Sequence, residues 1–172
     1  MLRKSKVRFN TYMYYDNLFG RYTEKAWDCV AKLPQYCEKY STQYVEATHL
    51  LKSILDEGPG GLGQRILVKA GVDVGKIERN LDAFLNRQPK ISDTSTKAMG
   101  NTMMSCLAKA NDVKKDFGDQ FISTEHLLLA AAETDGYSKR VFADAGYKSQ
   151  QIKDAVKAIR GTSKVTRCSY IK

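Results

Sequence analysis

Two histidines and four cysteines are the residues of this 172-residue chain best suited to ligating a metal or attacking a carbonyl. Their spacing argues against both uses. His49 and His126 are each followed by Leu-Leu, with no second histidine, cysteine or carboxylate placed to complete a tetrahedral set. Cys29, Cys37, Cys106 and Cys168 contain no C-x-x-C pair, and Cys29 and Cys37, eight apart on one expected helix, sit about two turns from each other, too far to bridge. They read as reduced, mostly buried thiols of an intracellular compartment. A phosphate loop needs G-x-x-x-x-G-K-[ST], so that backbone N–H groups cradle phosphates and a hydroxyl holds magnesium. Gly71-Val72-Asp73-Val74-Gly75-Lys76-Ile77 is one residue short between its glycines and ends in a side chain without a hydroxyl; Gly58–Gly63 lacks the lysine. Both read as turns between helices. No catalytic constellation remains, and no metal or cofactor is expected in this chain.

The net charge of +9 raises nucleic-acid binding, and the location of the charge counts against it. Arg3, Lys4, Lys6, Arg8 and Arg21 face only Asp16 in residues 1–21, and Arg160, Lys164, Arg167 and Lys172 face no acid in residues 160–172. The stretch between is close to neutral. Residues 1–21 read as a basic, aromatic arm or leader remnant without a secretory h-region, and no apolar run approaches the roughly 18 residues that cross a bilayer. Neither nucleic acid nor membrane is an expected partner.

The elements that hold the remaining residues come from an internal repeat. Gln43-Tyr44-Val45-Glu46-Ala47-Thr48-His49-Leu50-Leu51 returns 77 residues later as Gln120-Phe121-Ile122-Ser123-Thr124-Glu125-His126-Leu127-Leu128. Arg65-Ile66-Leu67-Val68-Lys69-Ala70-Gly71 returns 75 residues later as Arg140-Val141-Phe142-Ala143-Asp144-Ala145-Gly146. Apolar residues recur at three and four, the period of a helix, and no strand-like run stands out. The spacing predicts an all-α fold of two pseudo-symmetric repeats of four helices. Repeat one spans 22–88, a linker 86–97 and repeat two 98–161, the domain closes near 165, and residues 162–172 form a flexible tail. In repeat one, a helix capped by Thr23 runs through Tyr40, a second covers 48–56, a third stops at Gly71, and a fourth is capped by Asp73. Repeat two has a helix over 98–115, one capped by Ser123, one ending at Gly146 and one capped by Ser149. Trp27 and Met103 fall on core stripes, and Met99 and Met104 flank them. Neither half can bury enough surface alone, so they share one core with a groove at their junction.

Thr23-Glu24-Lys25-Ala26, the paired His-Leu-Leu segments, the Ala-Gly stops and Gly118-Asp119-Gln120-Phe121-Ile122-Ser123 together resemble the Clp amino-terminal domain, over residues 22–165. Leu85-Asn86-Arg87-Gln88-Pro89-Lys90-Ile91 and Ile159-Arg160-Gly161 are similar to the ClpB branch. The resemblance implies a non-catalytic docking domain of a hexameric AAA+ disaggregase. It would capture unfolded or aggregated protein, with ATP and magnesium used by other modules, in the cytoplasm or in a plastid or mitochondrion. It also leaves open an adaptor-docking domain, as in ClpA and ClpC relatives, or a free-standing Clp-repeat regulator. Carried over residue by residue, the groove would have Thr23, Asp119 and Glu125 as a polar border. These three have equally good readings as a helix cap, a turn residue and a first-turn charge. Leu107 and Val113 would supply apolar floor, and Lys109 and His126, standing where the family has leucines, would turn preference toward acidic or aromatic segments.

Overall fold

The computed structural model describes residues 8–9, 19–92 and 96–166. Most of the arm and Cys168 therefore lie outside the described residues. The helices are α1 (Glu24–Ala31), α2 (Leu33–Tyr40), α3 (Ala47–Leu55), α4 (Leu62–Lys69), α5 (Val74–Asn86), α6 (Asn101–Asp116), α7 (Thr124–Glu133), α8 (Tyr137–Asp144) and α9 (Ser149–Arg160). The four-helix plan of each half is present, with one interruption. The helix expected from Thr23 through Tyr40 breaks at Lys32, because Pro34 has no N–H to give to Val30 and its ring crowds that carbonyl. Cys29 and Cys37 consequently lie on different helices, both buried.

Helices α3 and α7 form the centre. Every residue of α3 is buried, and so is every residue of α7 up to Ala132, a pattern expected of a helix packed on all sides. The other seven helices pack on one or both of them, each showing one apolar stripe to a single core that contains Leu33, Leu50, Ile54, Leu81, Leu128, Phe142 and Val156. The two Ala-Gly stops are built alike. Gly71 (φ 76°) and Gly146 (φ 87°) take the left-handed conformation, and the next residues, Val72 and Tyr147, donate their N–H to Leu67 and Phe142 at 2.9 Å. The last helix starts at Ser149, one residue earlier than expected, so its cap is Lys148 rather than Ser149, and the Lys148 N–H is taken by Gln151 Oε1 at 2.8 Å.

Short strands, not anticipated, join the halves: β1 (Arg8–Phe9), β2 (Tyr44–Val45) and β3 (Thr96–Met99) pair in parallel in the order β1-β3-β2. At two to four residues they are too short to show an alternating pattern. Their arrangement crosses over. The segment before α6 pairs with the segment before α3 through Gly100 N–H to Val45 O at 2.8 Å, and the segment before α1 pairs with the segment before α7 through Thr23 N–H to Ile122 O at 2.8 Å. Each half thus completes the helix entrances of the other. Glu46, the α3 cap, accepts the Thr102 N–H of α6 at 3.1 Å, and a Cβ on Gly100 would come within 2.1 Å of that carboxylate.

Candidate functional site

The crossover creates two related ends, one around His49 and one around His126. At the first, His49 Nδ1 accepts the Glu46 N–H at 3.0 Å, which leaves Nε2–H to donate to Thr42 Oγ1 at 3.1 Å. Burial drives this imidazole down to about 4, helped by the nearby Lys97 charge. At the second, His126 Nδ1 accepts the Ser123 N–H at 2.9 Å and Nε2–H donates to Asp119 Oδ2 at 2.7 Å. Burial lowers His126 as well, against the pull of Glu125 and Asp119. Both histidines close the first turn of a central helix, and neither has a free nitrogen.

Asp119 takes Thr42's place in the repeat and Arg160 takes Leu85's. Arg160 Nη1 reaches Asp119 Oδ2 at 2.6 Å and Nη2 reaches Oδ1 at 2.7 Å, with the guanidinium 4.8 Å from the centre of the Phe117 ring. Burial alone would raise the Asp119 carboxyl, but Arg160, the Val165 N–H and His126 outweigh it and hold it at about 2. Glu125 is buried beside them, with Oε1 3.7 Å from Arg160 Nη1 and Oε2 without a hydrogen-bond partner.

The first end contains a cavity of about 450 Å3, whereas at the second Arg160 and Phe117 line a recess of about 320 Å3 beside the ion pair. Its walls come from both halves: Phe84 and Leu85 of α5, Tyr137 and Ser138 of α8, Tyr44 of β2, and His49. The Phe84 and Tyr137 rings stack at 3.9 Å and 4°, Tyr44 is 51% exposed at the rim, and Ser138 Oγ is buried in the wall without a hydrogen-bond partner. A mostly apolar recess with a few polar groups is suited to an apolar side chain.

The structure brings Asp119, Glu125 and His126 together around Arg160. Thr23 lies nearby in sequence pairing, capping α1 with Oγ1 3.4 Å from the Ala26 N–H and bordering a separate recess of about 470 Å3 with Lys25, Arg65 and Ser123. Val113 is buried and Leu107 half-buried on α6. Of the two residues expected to tune the groove, one is inside and one outside. His126 is fully buried and locked by hydrogen bonds, so it offers no ring to a groove. Lys109 is exposed on α6 and pairs with Glu133 of α7 at 3.1 Å. Nor is Arg160 a tail charge, since its side chain is inside the Asp119 network. The expected free tail also starts later: Gln120 N–H reaches Val165 O at 3.0 Å and Val165 N–H reaches Asp119 Oδ1 at 2.9 Å. Among the described residues, no group of histidine, cysteine and acidic side chains could hold a metal ion, and no helix is long and apolar enough to cross a membrane.

A duplicated helical bundle with crossed entrances, capped twice by histidine, defines a double-repeat helical domain. Residues 21–145 match the family model of the Clp repeat (R) N-terminal domain, and the chain belongs to that family. It is 40% identical over 147 residues to the chaperone protein ClpB 1 of Thermosynechococcus vestitus, covering 86% of this chain and 17% of that protein. It is 36% identical over 148 residues to the mitochondrial chaperone protein ClpB3 of Oryza sativa, covering 86% of this chain and 15% of that protein. The chain therefore spans about a sixth of the length of these curated relatives. Among solved structures, the Hsp104 N-terminal domain of Candida albicans superposes with a TM-score of 0.73 at 20% identity, covering 86% of this chain and 97% of that one. The N-terminal domain of the ClpV1 ATPase from E. coli superposes at 0.69 and 17%, covering 92% and 97%.

Proposed function

We propose that this domain docks apolar segments of unfolded or aggregated polypeptide for a ClpB-type, ATP-driven disaggregase, and that the Phe84–Tyr137 cavity is the seat. The supporting observation is the cavity itself, mostly apolar and open at Tyr44. Other modules of a hexamer supply the ATPase, because nothing in this sequence fits a nucleotide or its magnesium. The relatives include mitochondrial and chloroplastic proteins, which fits work in the cytoplasm or an organelle. Affinity is weak, since the bound segment must give up its disorder.

Titration with reduced, unfolded casein tests the reading. Submillimolar binding that falls about tenfold in Phe84→Ser or Tyr137→Ser supports it. Retention of wild-type binding by both variants sinks the cavity as the seat. Loss in Thr23→Ala or Leu107→Ser instead would move the seat to the border first expected from the sequence. No casein binding, with tight binding of one folded partner, would favour the adaptor-docking alternative.

A further inference from the structure

We propose that Asp119 is a positioning residue: its carboxylate clasps the segment after α9 and fixes where the chain leaves the helical body. The clasp accounts for features that polypeptide docking leaves unused. The Asp119 side chain has no exposed surface and accepts four hydrogen bonds, two from Arg160, one from His126 and one from the Val165 N–H at 2.9 Å. A carboxylate so saturated has no lone pair left for a ligand.

The segment is held at several points. Gln120 N–H reaches Val165 O at 3.0 Å, so Val165 is both donor and acceptor to the Asp119–Gln120 pair. Arg160 Nη2 also donates to Ser163 O at 2.8 Å, and Lys164 Nζ donates to Phe117 O. That lysine crosses directly over Gly118, where φ is 68° and a Cβ would stand 3.2 Å from Nζ. Glycine serves both the left-handed turn and the close crossing. The other half repeats the lysine tie, with Lys90 Nζ donating to Tyr40 O at 2.7 Å as Lys164 does to Phe117 O, but among the described residues it has no carboxylate clasp. Thr42 and Leu85 stand where Asp119 and Arg160 do, and the segment after α5 is tied at this turn by the Ile91 N–H to Ser41 O bond at 2.9 Å. One end of the duplicated plan remains a recess, and its counterpart anchors the outgoing chain.

Amide exchange on the 172-residue protein tests the clasp. In the unaltered chain, the Gln120 and Val165 amides should exchange at least tenfold more slowly than those of an unstructured peptide. Asp119→Asn keeps the shape and removes the charge, and should abolish both protections. Val165→Pro removes only the clasped N–H, far from the core, and should expose the Gln120 amide at least tenfold while casein affinity stays within twofold. Trypsin cleavage after Lys164 should quicken at least tenfold in Asp119→Asn. Unprotected amides in the unaltered chain would overturn the proposal. So would a Val165→Pro variant with Gln120 still protected, or an Asp119→Asn variant that loses casein binding with both amides still protected. These readouts are separate from the cavity variants, so the clasp and the docking seat stand or fall independently.

Discussion

The Thr42–His49 end and the Asp119–His126 end share one sequence plan and differ in what fills the space behind the histidine. At the first, a hydroxyl and an aliphatic side chain border a recess between α5 and α8; at the second, a carboxylate and a guanidinium form a buried ion pair. Both histidines do the same capping work, yet one end is neutral and the other ionic. A duplicated fold can therefore keep its helix entrances constant and vary the use of each end through two positions.

The largest test removes the ionic lock. Asp119→Ala leaves Arg160 and His126 buried without their partner and should cost about 3–5 kcal/mol in urea unfolding, whereas Thr42→Ala, losing one neutral hydrogen bond, should cost about 1 kcal/mol. Equal losses would erase the distinction between the ends. Acid offers the next largest effect. An unfolded histidine takes up its proton near ~6.5. His49 resists protonation until about 4 in the folded protein. Stability from this residue is thus full above the unfolded value and falls, by up to roughly 3 kcal/mol, as pH drops through that window. Asp119 behaves in the same direction but lower, since its stabilisation is complete above the ordinary carboxyl range and is lost only as pH falls toward about 2. Stability measured from pH 7 to 3 should decline first through the two histidines, both lowered by burial, and only later through Asp119; a flat profile down to pH 4 would contradict this.

Converting one end into the other is a sharper comparison with a smaller effect. Thr42→Asp with Leu85→Arg should close the recess and weaken casein binding about tenfold, roughly 1.4 kcal/mol, without loss of helix by circular dichroism. The smallest change is Lys109→Leu. Its ion pair with Glu133 is exposed, so stability should move by less than about 0.5 kcal/mol, and a peptide array should show unchanged preferences. A changed array would return Lys109 to the binding surface.

Much of this was legible in the chain because local signals govern it. The repeat offsets, the Thr23, Asp73 and Ser123 caps and the glycine stops at 71 and 146 act within a few residues of each other, and each is where the sequence placed it. Pro34 could have given the helix break, since its effect is also local. The strands could not be read, because two-residue pairings are defined by the partner segment alone. The recess joins Phe84 and Tyr137 from opposite halves, and periodicity within one half cannot align them. Arg160 carried a readable signal: it is a charge standing in register with the buried Leu85, which calls for a buried counter-ion. His126 misled because substitution for a leucine suggested a surface change, when the ring had become part of a helix cap.

The crossed entrances also bear on how the two halves can be separated. Each supplies backbone and capping partners that the other lacks, so either one made alone would expose the unpaired N–H groups of its own helices and half of a shared core. Cutting the chain between Ile91 and Thr96 should nonetheless leave two fragments that find each other, because every contact at the entrances is already intermolecular in all but the covalent link. Co-expressed as separate polypeptides, residues 1–92 and 96–172 are expected to reassemble into one particle, a split reporter with its affinity set by the fold itself.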